Sequence, residues 1–438
     1  MTEAGLVLGA SSFEQHPWRA RILGELHARP TRPLETPARI LHFAFMTDAA
    51  RVEADRLALA KACLERGLTG PDPQTRQFRL EFSEAVLVWE RHGEFTTHSW
   101  EFNGVEAATP FSPSPAALMQ TLQMLPQPGP LLVAVDLHMI AGDADASELG
   151  KIFGPLQAAV TEANAGRALI ATDFAPDTFG FVRIFIANRS MPPMAAGRLA
   201  QRALEIETYR TLALMGLPEA QRLAPSIRRI EEELPQILDS MTKAQGVESN
   251  RKLLDELTGL AAELEVGATA SLYRFGATRA YDDLVQSRLL AINETPLPDY
   301  PSWSGFLTRR LQPAIRTCVN TEARQADLSR KLARAAQLLR TRVDTEVEVQ
   351  NGDLLRQMGD RMHLQLRLQQ TVEGLSVAAI TYYISSVLNH IFEGAEKAGL
   401  EIDPTIATAI VIPFVAAFVW WTVWRIRRKH SGESEKAS

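Results

Sequence analysis

Two uninterrupted apolar stretches near the C-terminus constrain this chain more than any other feature. The first, Val372–Phe392, has 21 residues and one carboxylate, Glu373, at its start; the second, Ile406–Trp424, has 19 residues and no charge. A hydrocarbon core of ~30 Å is crossed by ~20 helical residues at 1.5 Å each, so both are long enough to span it. The link from Glu393 to Thr405 is too short to hold a domain, which predicts a transmembrane hairpin over 372–424 with both flanks on one side. Arg425, Arg427, Arg428 and Lys429 follow the second stretch directly, and Trp420, Trp421 and Trp424 mark its end. Basic residues are retained in the cytoplasm and indole rings favour the interface. The expectation is a multi-pass protein whose termini are both cytoplasmic, with a basic tail over 425–438.

The first stretch carries a polar stripe. Thr381, Ser385 and Asn389 recur every four residues, with Ser376, Tyr382, Ser386 and His390 nearby. Polar groups in hydrocarbon face other helices or a water-filled path, which makes Thr381, Ser385 and Asn389 candidate pore-lining residues. The link adds Glu393, Glu396, Glu401 and Asp403 against a single Lys397, a set that would draw cations to the mouth of a path through an oligomer. Short loops are also hydrophilic simply because they meet water.

Ahead of the hairpin, residues 301–371 read as a stalk. From Asp327 to Gln370 apolar residues recur at steps of three and four, from Leu328, Leu332, Ala335 and Leu339 through Leu354, Met358 and Met362 to Leu368. This periodicity predicts an amphipathic helix with a coiled-coil or bundle stripe. Gly352, Gly359 and Gly374 are weak points, at ~1 kcal/mol each relative to alanine. Residues 191–300 form a further helical segment. In it Ala195–Ser240 is expected to break into two or three pieces at Pro218, Pro225 and Pro235, and Arg251–Ile292 to run unbroken until Pro296–Pro301 turns the chain.

Residues 1–190 alternate short β-rich runs with helical ones, giving an α+β fold class for the chain as a whole. Strands are predicted at Ala38–Phe45, Arg76–Phe82, Ala85–His92, Glu94–Phe102, Leu131–Met139, Ala168–Phe174 and Phe181–Ala187. The second to fourth read as an antiparallel meander with Gly93 in a tight turn. Helices are expected at Ala49–Arg66 and Pro115–Gln123.

Composition narrows the function classes. The 46 Lys+Arg against 52 Asp+Glu, a formal charge of −6, exclude a broadly basic nucleic-acid binder and an acidic disordered chain. Only Cys63 and Cys318 occur, so no disulfide framework is expected. The first residues lack a basic start followed by an apolar run, and no signal peptide is expected. Dinucleotide-binding, phosphate-loop, zinc-protease and nucleophile-elbow signatures are missing, so neither an enzyme nor a bound cofactor is expected. Three polar clusters remain. Glu25, His27 and Arg29 suit an anion or carboxylate site, or a cap that ties the N-terminus to the sheet. Glu90, His92 and Glu94 alternate as metal ligands on one strand face would, but Gly93 is expected to place them around a turn. Asp136 and His138 read as turn and core residues rather than ligands.

The phrases His16–Phe43 (HPWRARILGELHARPTRPLETPARILHF), Trp89–Phe95 (WERHGEF) and Leu364–Tyr383 (LQLRLQQTVEGLSVAAITYY) resemble those of a bacterial family of membrane-anchored proteins built on a domain of unknown function. The resemblance covers nearly the whole chain, carries no established activity, and implies a bacterial inner membrane. In layout the chain is also similar to the CorA-type magnesium transporters. They have a cytoplasmic α/β domain, a stalk helix running into the first of two C-terminal spans, and an acidic link outside. Their Gly-Met-Asn signature is absent, the corresponding stretch reading Ser385-Ser386-Val387-Leu388-Asn389-His390, with Asn389 in the comparable place. This likeness implies a homo-oligomeric divalent-cation channel or transporter gated by its cytoplasmic domain, with Mg2+ or another divalent cation as the transported or regulatory ion. The alternative is a membrane-anchored scaffold or regulator whose cytoplasmic domain binds a protein or a small ligand.

Overall fold

The computed structural model describes residues 14–19, 22–23, 30–83, 85–103, 110–115, 117–118, 125–154, 158–399 and 403–434. The chain divides into two compact units, the first comprising residues 1–239 and 256–335, the second 240–255 and 336–438.

The first unit is built on a mixed sheet. Its strands among the described residues are β1 Ala38–Met46, β2 Gln77–Glu81, β3 Ala85–Arg91, β4 Phe95–Asn103, β5 Leu131–Ala141, β6 Ala159–Ala163, β7 Ala168–Pro176, β8 Val182–Asn188 and the two-residue β9 Thr295–Pro296. They lie in the order β2-β3-β4-β1-β5-β8-β7-β6-β9. Every neighbouring pair is antiparallel except β5 and β8, whose parallel register sets Leu137 against Ile184. The meander β2-β3-β4 forms as the alternation predicts, with Gly93 in its second turn, where the His92 N–H donates to the Phe95 carbonyl at 3.0 Å.

Both sheet faces are covered, which is why β1 is buried along nearly its whole length. On one face Ile40, Val135, Leu137 and Ile186 pack under Leu199, Ala203 and Ile206 of α3 (Pro193–Leu214) and Trp303 and Phe306 of α6 (Trp303–Arg310). On the other, Leu41, Leu87, Trp89 and Trp100 meet Leu59 and Cys63 of α1 (Ala49–Leu64), while Val160, Leu169 and Phe185 meet Leu149 and Phe153 of α2 (Ala146–Phe153).

The helical segment differs from expectation in where it breaks. α3 ends at Leu214 and α4 (Gly216–Lys243) starts two residues later, so Pro218 falls in the first turn of α4, where a missing N–H costs no hydrogen bond. Pro225 and Pro235 stay inside the helix. The break sits at Gly216 because Thr278 of α5 (Val247–Ile292) crosses there and donates to the Ala213 carbonyl at 3.0 Å; a Cβ on Gly216 would overlap the Thr278 hydroxyl. The helix predicted at Pro115–Gln123 falls largely outside the described residues.

In the second unit the tip of the α4–α5 hairpin, with Gly246 at φ +86° in its turn, lies against α7. Arg342 donates to the carbonyls of Met241 (2.7 Å) and Ala244 (2.8 Å), and the buried Asn250 amide donates to both Glu346 oxygens at 2.9 and 3.0 Å. α7 spans Gln312–Lys397, starting well before the predicted Asp327, and stays helical through Gly352, Gly359 and Gly374. Its part within this unit, from Ala336 on, is about 90 Å long at 1.5 Å per residue. α8 (Pro404–Ser434) then returns. The helix ending at Lys397 and the stretch Pro404–Arg425 are long and apolar enough to cross a membrane, with mean hydropathy reaching 1.3 and 2.1.

Candidate functional site

Strand alternation gives one face of β1–β4 an unusual floor. Pairing aligns His42 with Ser99, Ser99 with Val88, and Thr97 with Glu90, which in turn faces Gln77. Side chains two apart share a face, so Ser99, Thr97 and Glu101 of β4 stand beside Val88 and Glu90 of β3. α3 and the segment 30–34 close over this floor and leave a cavity of about 280 Å³. Gly197 of α3 permits the closure: a Cβ there would overlap the Arg32 carbonyl oxygen and lie 3.3 Å from the Leu34 nitrogen.

The electrostatics of the cavity follow from burial. His42 is buried and lies between two hydroxyls, with Nδ1 2.7 Å from Ser99 Oγ and Nε2 3.1 Å from Thr208 Oγ1. The Thr208 hydroxyl donates to the Leu204 carbonyl at 2.9 Å, so it accepts from the imidazole. That assigns the proton to Nε2 and makes Nδ1 the acceptor of the Ser99 hydroxyl. Burial, with His98 nearby as a lesser cause, pushes the His42 pKa down to about 4 and keeps the ring neutral. Burial raises the Glu101 carboxyl against the opposing pull of Arg79 and Arg32. Glu90 accepts from Gln77 at 2.9 Å, and Glu205 pairs with Arg288 and accepts from Gln201 at 2.9 Å. The His92 ring stacks on Phe95 at 4.1 Å between centroids. The lining thus combines carboxylates, Arg32, neutral hydroxyls and an uncharged imidazole, a set that can hold a small polar molecule carrying charge of either sign.

The predicted clusters are distributed as follows. Glu90 and His92 line the cavity, whereas Glu94 pairs with Arg274 at 2.5 Å, so the three do not converge. Among the described residues no group of three His, Cys, Asp or Glu side chains is placed to hold a metal ion. Glu25, His27 and Arg29 lie outside the described residues. Asp136 and His138 both lie within β5, on the face away from the cavity. The Asp136 carboxylate takes two hydrogen bonds from the buried Arg39 (2.9 and 2.6 Å), and Arg39 also donates to the carbonyls of Pro113 and Phe111. His138 Nδ1 accepts from the Phe111 N–H at 2.9 Å, so this cluster pins the 111–113 loop to the sheet.

In the hairpin, Thr381 and Ser385 donate their hydroxyls to the carbonyls one turn back, Val377 and Thr381, each at 2.7 Å. Asn389 donates to Glu393 at 2.8 Å and accepts from Thr408 of α8 at 3.1 Å. The half-buried residues of the first stretch include Val377, Thr381, Ser385 and Asn389, so the polar stripe is the face that meets α8. Asp403 caps α8, accepting from the Thr405 N–H at 2.9 Å, and Glu401 lies outside the described residues.

The model of the family "Protein of unknown function (DUF3422)" matches residues 14–430. The chain belongs to this family. No curated protein matches it. In this DUF3422 chain, sequence reasoning missed His42, Ser99, Glu101, Arg32, Glu205 and Arg288 as neighbours in one cavity. The alternation of Thr97, Ser99 and Glu101 was the available signal, but polar alternation reads equally as a face turned to water. Only the arrival of α3, with Gly197 and Ala200 as small residues at the contact, tells the two apart.

Proposed function

We propose that this DUF3422 chain is a membrane-tethered receptor. Its sheet domain takes up a small amine-bearing or zwitterionic ligand in the cavity between β1, β3, β4 and α3. The α7–α8 hairpin crosses the bacterial inner membrane twice and leaves both termini in the cytoplasm. The observation that carries this reading is the cavity of about 280 Å³ with Glu90 and Glu101 on its floor and Arg32 at its rim. A cationic group there relieves the cost of burying the Glu101 carboxylate, and Arg32 suits a ligand carboxylate. The hairpin supports tethering because its polar stripe is satisfied internally and against α8.

Native mass spectrometry of the full chain, released from the membranes in which it was made, tests the reading. The expected result is a small-molecule adduct on the wild type that Val88→Phe, which fills the cavity, and Glu101→Gln both remove. A chain that carries no adduct and gains none from amino acids or polyamines at millimolar concentration overturns it. One observation favours transport instead: Asn389 and Glu393 sit at the far end of the first stretch beside the acidic link. In sealed proteoliposomes tethering predicts no Mg2+ flux; a flux abolished by Asn389→Ala supports a cation path.

A further inference from the structure

We propose that the face of α7 between Leu354 and Val372 is a docking surface for a second copy of this chain, parallel and in register. In this stretch Leu354, Leu355, Met358, Met362, Leu366 and Leu368 are each between 54% and 69% exposed, and Val372 is 58% exposed. At 3.6 residues per turn all seven fall within about 80° of Met358. Asp353, Arg356, Asp360, His363 and Arg367 occupy the opposite side, while Arg361 lies about 60° from Met358 at the border of the apolar face and the exposed Leu364 about 120° away. The helix is therefore amphipathic with its apolar side uncovered by any described residue of its unit. Seven side chains so exposed amount to roughly 700 Å² per chain, more than a monomer commonly leaves in one patch, and two such faces clear the ~1,000 Å² of a specific interface.

Two features select a second copy as the occupant. α7 continues without a break into the first membrane-length stretch, so copies inserted in one bilayer run parallel and hold this face at the same height. This step rests on the tethering reading above. In addition, Gln365 and Gln369 lie on the centre line of the apolar side. A buried amide is satisfied by its own counterpart across a parallel, in-register pair, the way a polar core position fixes register in coiled coils.

Disulfide trapping in native membranes tests the proposal, because the chain's own Cys63 and Cys318 are buried. Met358→Cys and Met362→Cys are expected to link into a species of twice the chain mass, while Arg356→Cys and Arg367→Cys on the far side stay monomeric. In a lipid nanodisc, Met358→Glu with Met362→Glu is expected to lower the wild-type oligomer mass to that of one chain without changing the helical circular dichroism. A wild type that is monomeric in the membrane overturns the proposal. So does equal trapping on both sides, an oligomer that survives both glutamates, or linkage to a protein of another mass. Recovery of the chain from the soluble fraction would instead defeat the tethering reading, which separates the two failures.

Discussion

Lowering the pH from 7.5 to 5 should destabilise the sheet domain by about 4 kcal/mol through two buried imidazoles. His42 and His138 are both shifted down to about 4, His42 by burial and then His98, His138 by burial and then Arg39. In the unfolded chain each takes up a proton near pH 6.5; in the folded one neither does until about pH 4. Their contribution is thus complete above pH 6.5, declines as pH falls from there to about 4, and is level below. Displacement from about 6.5 to about 4 corresponds to about 3 kcal/mol per histidine in full, of which about 2 kcal/mol is already lost at pH 5. Urea unfolding followed by the fluorescence of the buried Trp89, Trp100 and Trp303 reads this loss. Glu219, Glu231 and Glu263, whose carboxyls their arginine partners hold low, surrender their contributions nearer pH 4. Glu101 and Asp136, whose carboxyls burial raises, take up protons more readily in the folded chain and so oppose the histidine slope at its acid end. His42→Gln with His138→Gln lowers stability at pH 7.5 but should flatten the dependence between pH 5 and 7.5. A double variant that retains the wild-type slope refutes the assignment.

Gly197→Ala should cost about 2 kcal/mol, because its methyl displaces the 30–34 segment from α3; a lowered urea midpoint together with weaker ligand retention checks this. Asp136→Leu alone strands the Arg39 guanidinium in the core and should cost about 3–5 kcal/mol. Adding Arg39→Met should recover most of that loss, a non-additivity that a double-mutant cycle reads directly. Trp89→Phe removes the indole N–H that the buried Asp55 accepts at 2.7 Å and leaves that carboxylate to His98 at 3.1 Å; the expected loss is about 1–3 kcal/mol by urea midpoint.

Most strands of the sheet were legible, because runs such as ARILHFAF, AVLVWERH and FVRIFIA join β-branched and aromatic residues to clear turn signals. β6, with the sequence AVTEA, escaped because alanine and glutamate carry no strand preference; its pairing with β7 decides its conformation. α2 was overlooked although Asp145 and Glu148 spell a capping box, with the Asp145 side chain taking the Glu148 N–H at 2.9 Å. The helix breaks at Gly216 and not at the prolines: Pro218 falls in the first turn, α4 carries Pro225 and Pro235 in its interior, and the close crossing of Thr278 that sets the break is a long-range fact. The cavity was the least legible feature. Its residues come from four strands, the β3–β4 turn, α3, the 30–34 segment and Arg288 of α5, and each polar position taken singly resembles a solvated one.

The same distinction between a polar position and its partner governs the hairpin. A hydroxyl in an apolar helix can serve a water-filled path, a neighbouring helix or its own backbone, and its spacing in the sequence is identical in all three cases. Thr381 and Ser385 spend their protons on their own helix and retain lone pairs, while the Asn389 carbonyl oxygen accepts from Thr408 and its amide donates to Glu393. A cation drawn along this stripe would have to compete with Thr408 for the Asn389 oxygen and part α7 from α8 at that level. Tethering asks for no such rearrangement. On these contacts the stripe needs no more than the second helix of its own hairpin to be satisfied, whereas among the described residues the apolar side of α7 ahead of it stays exposed.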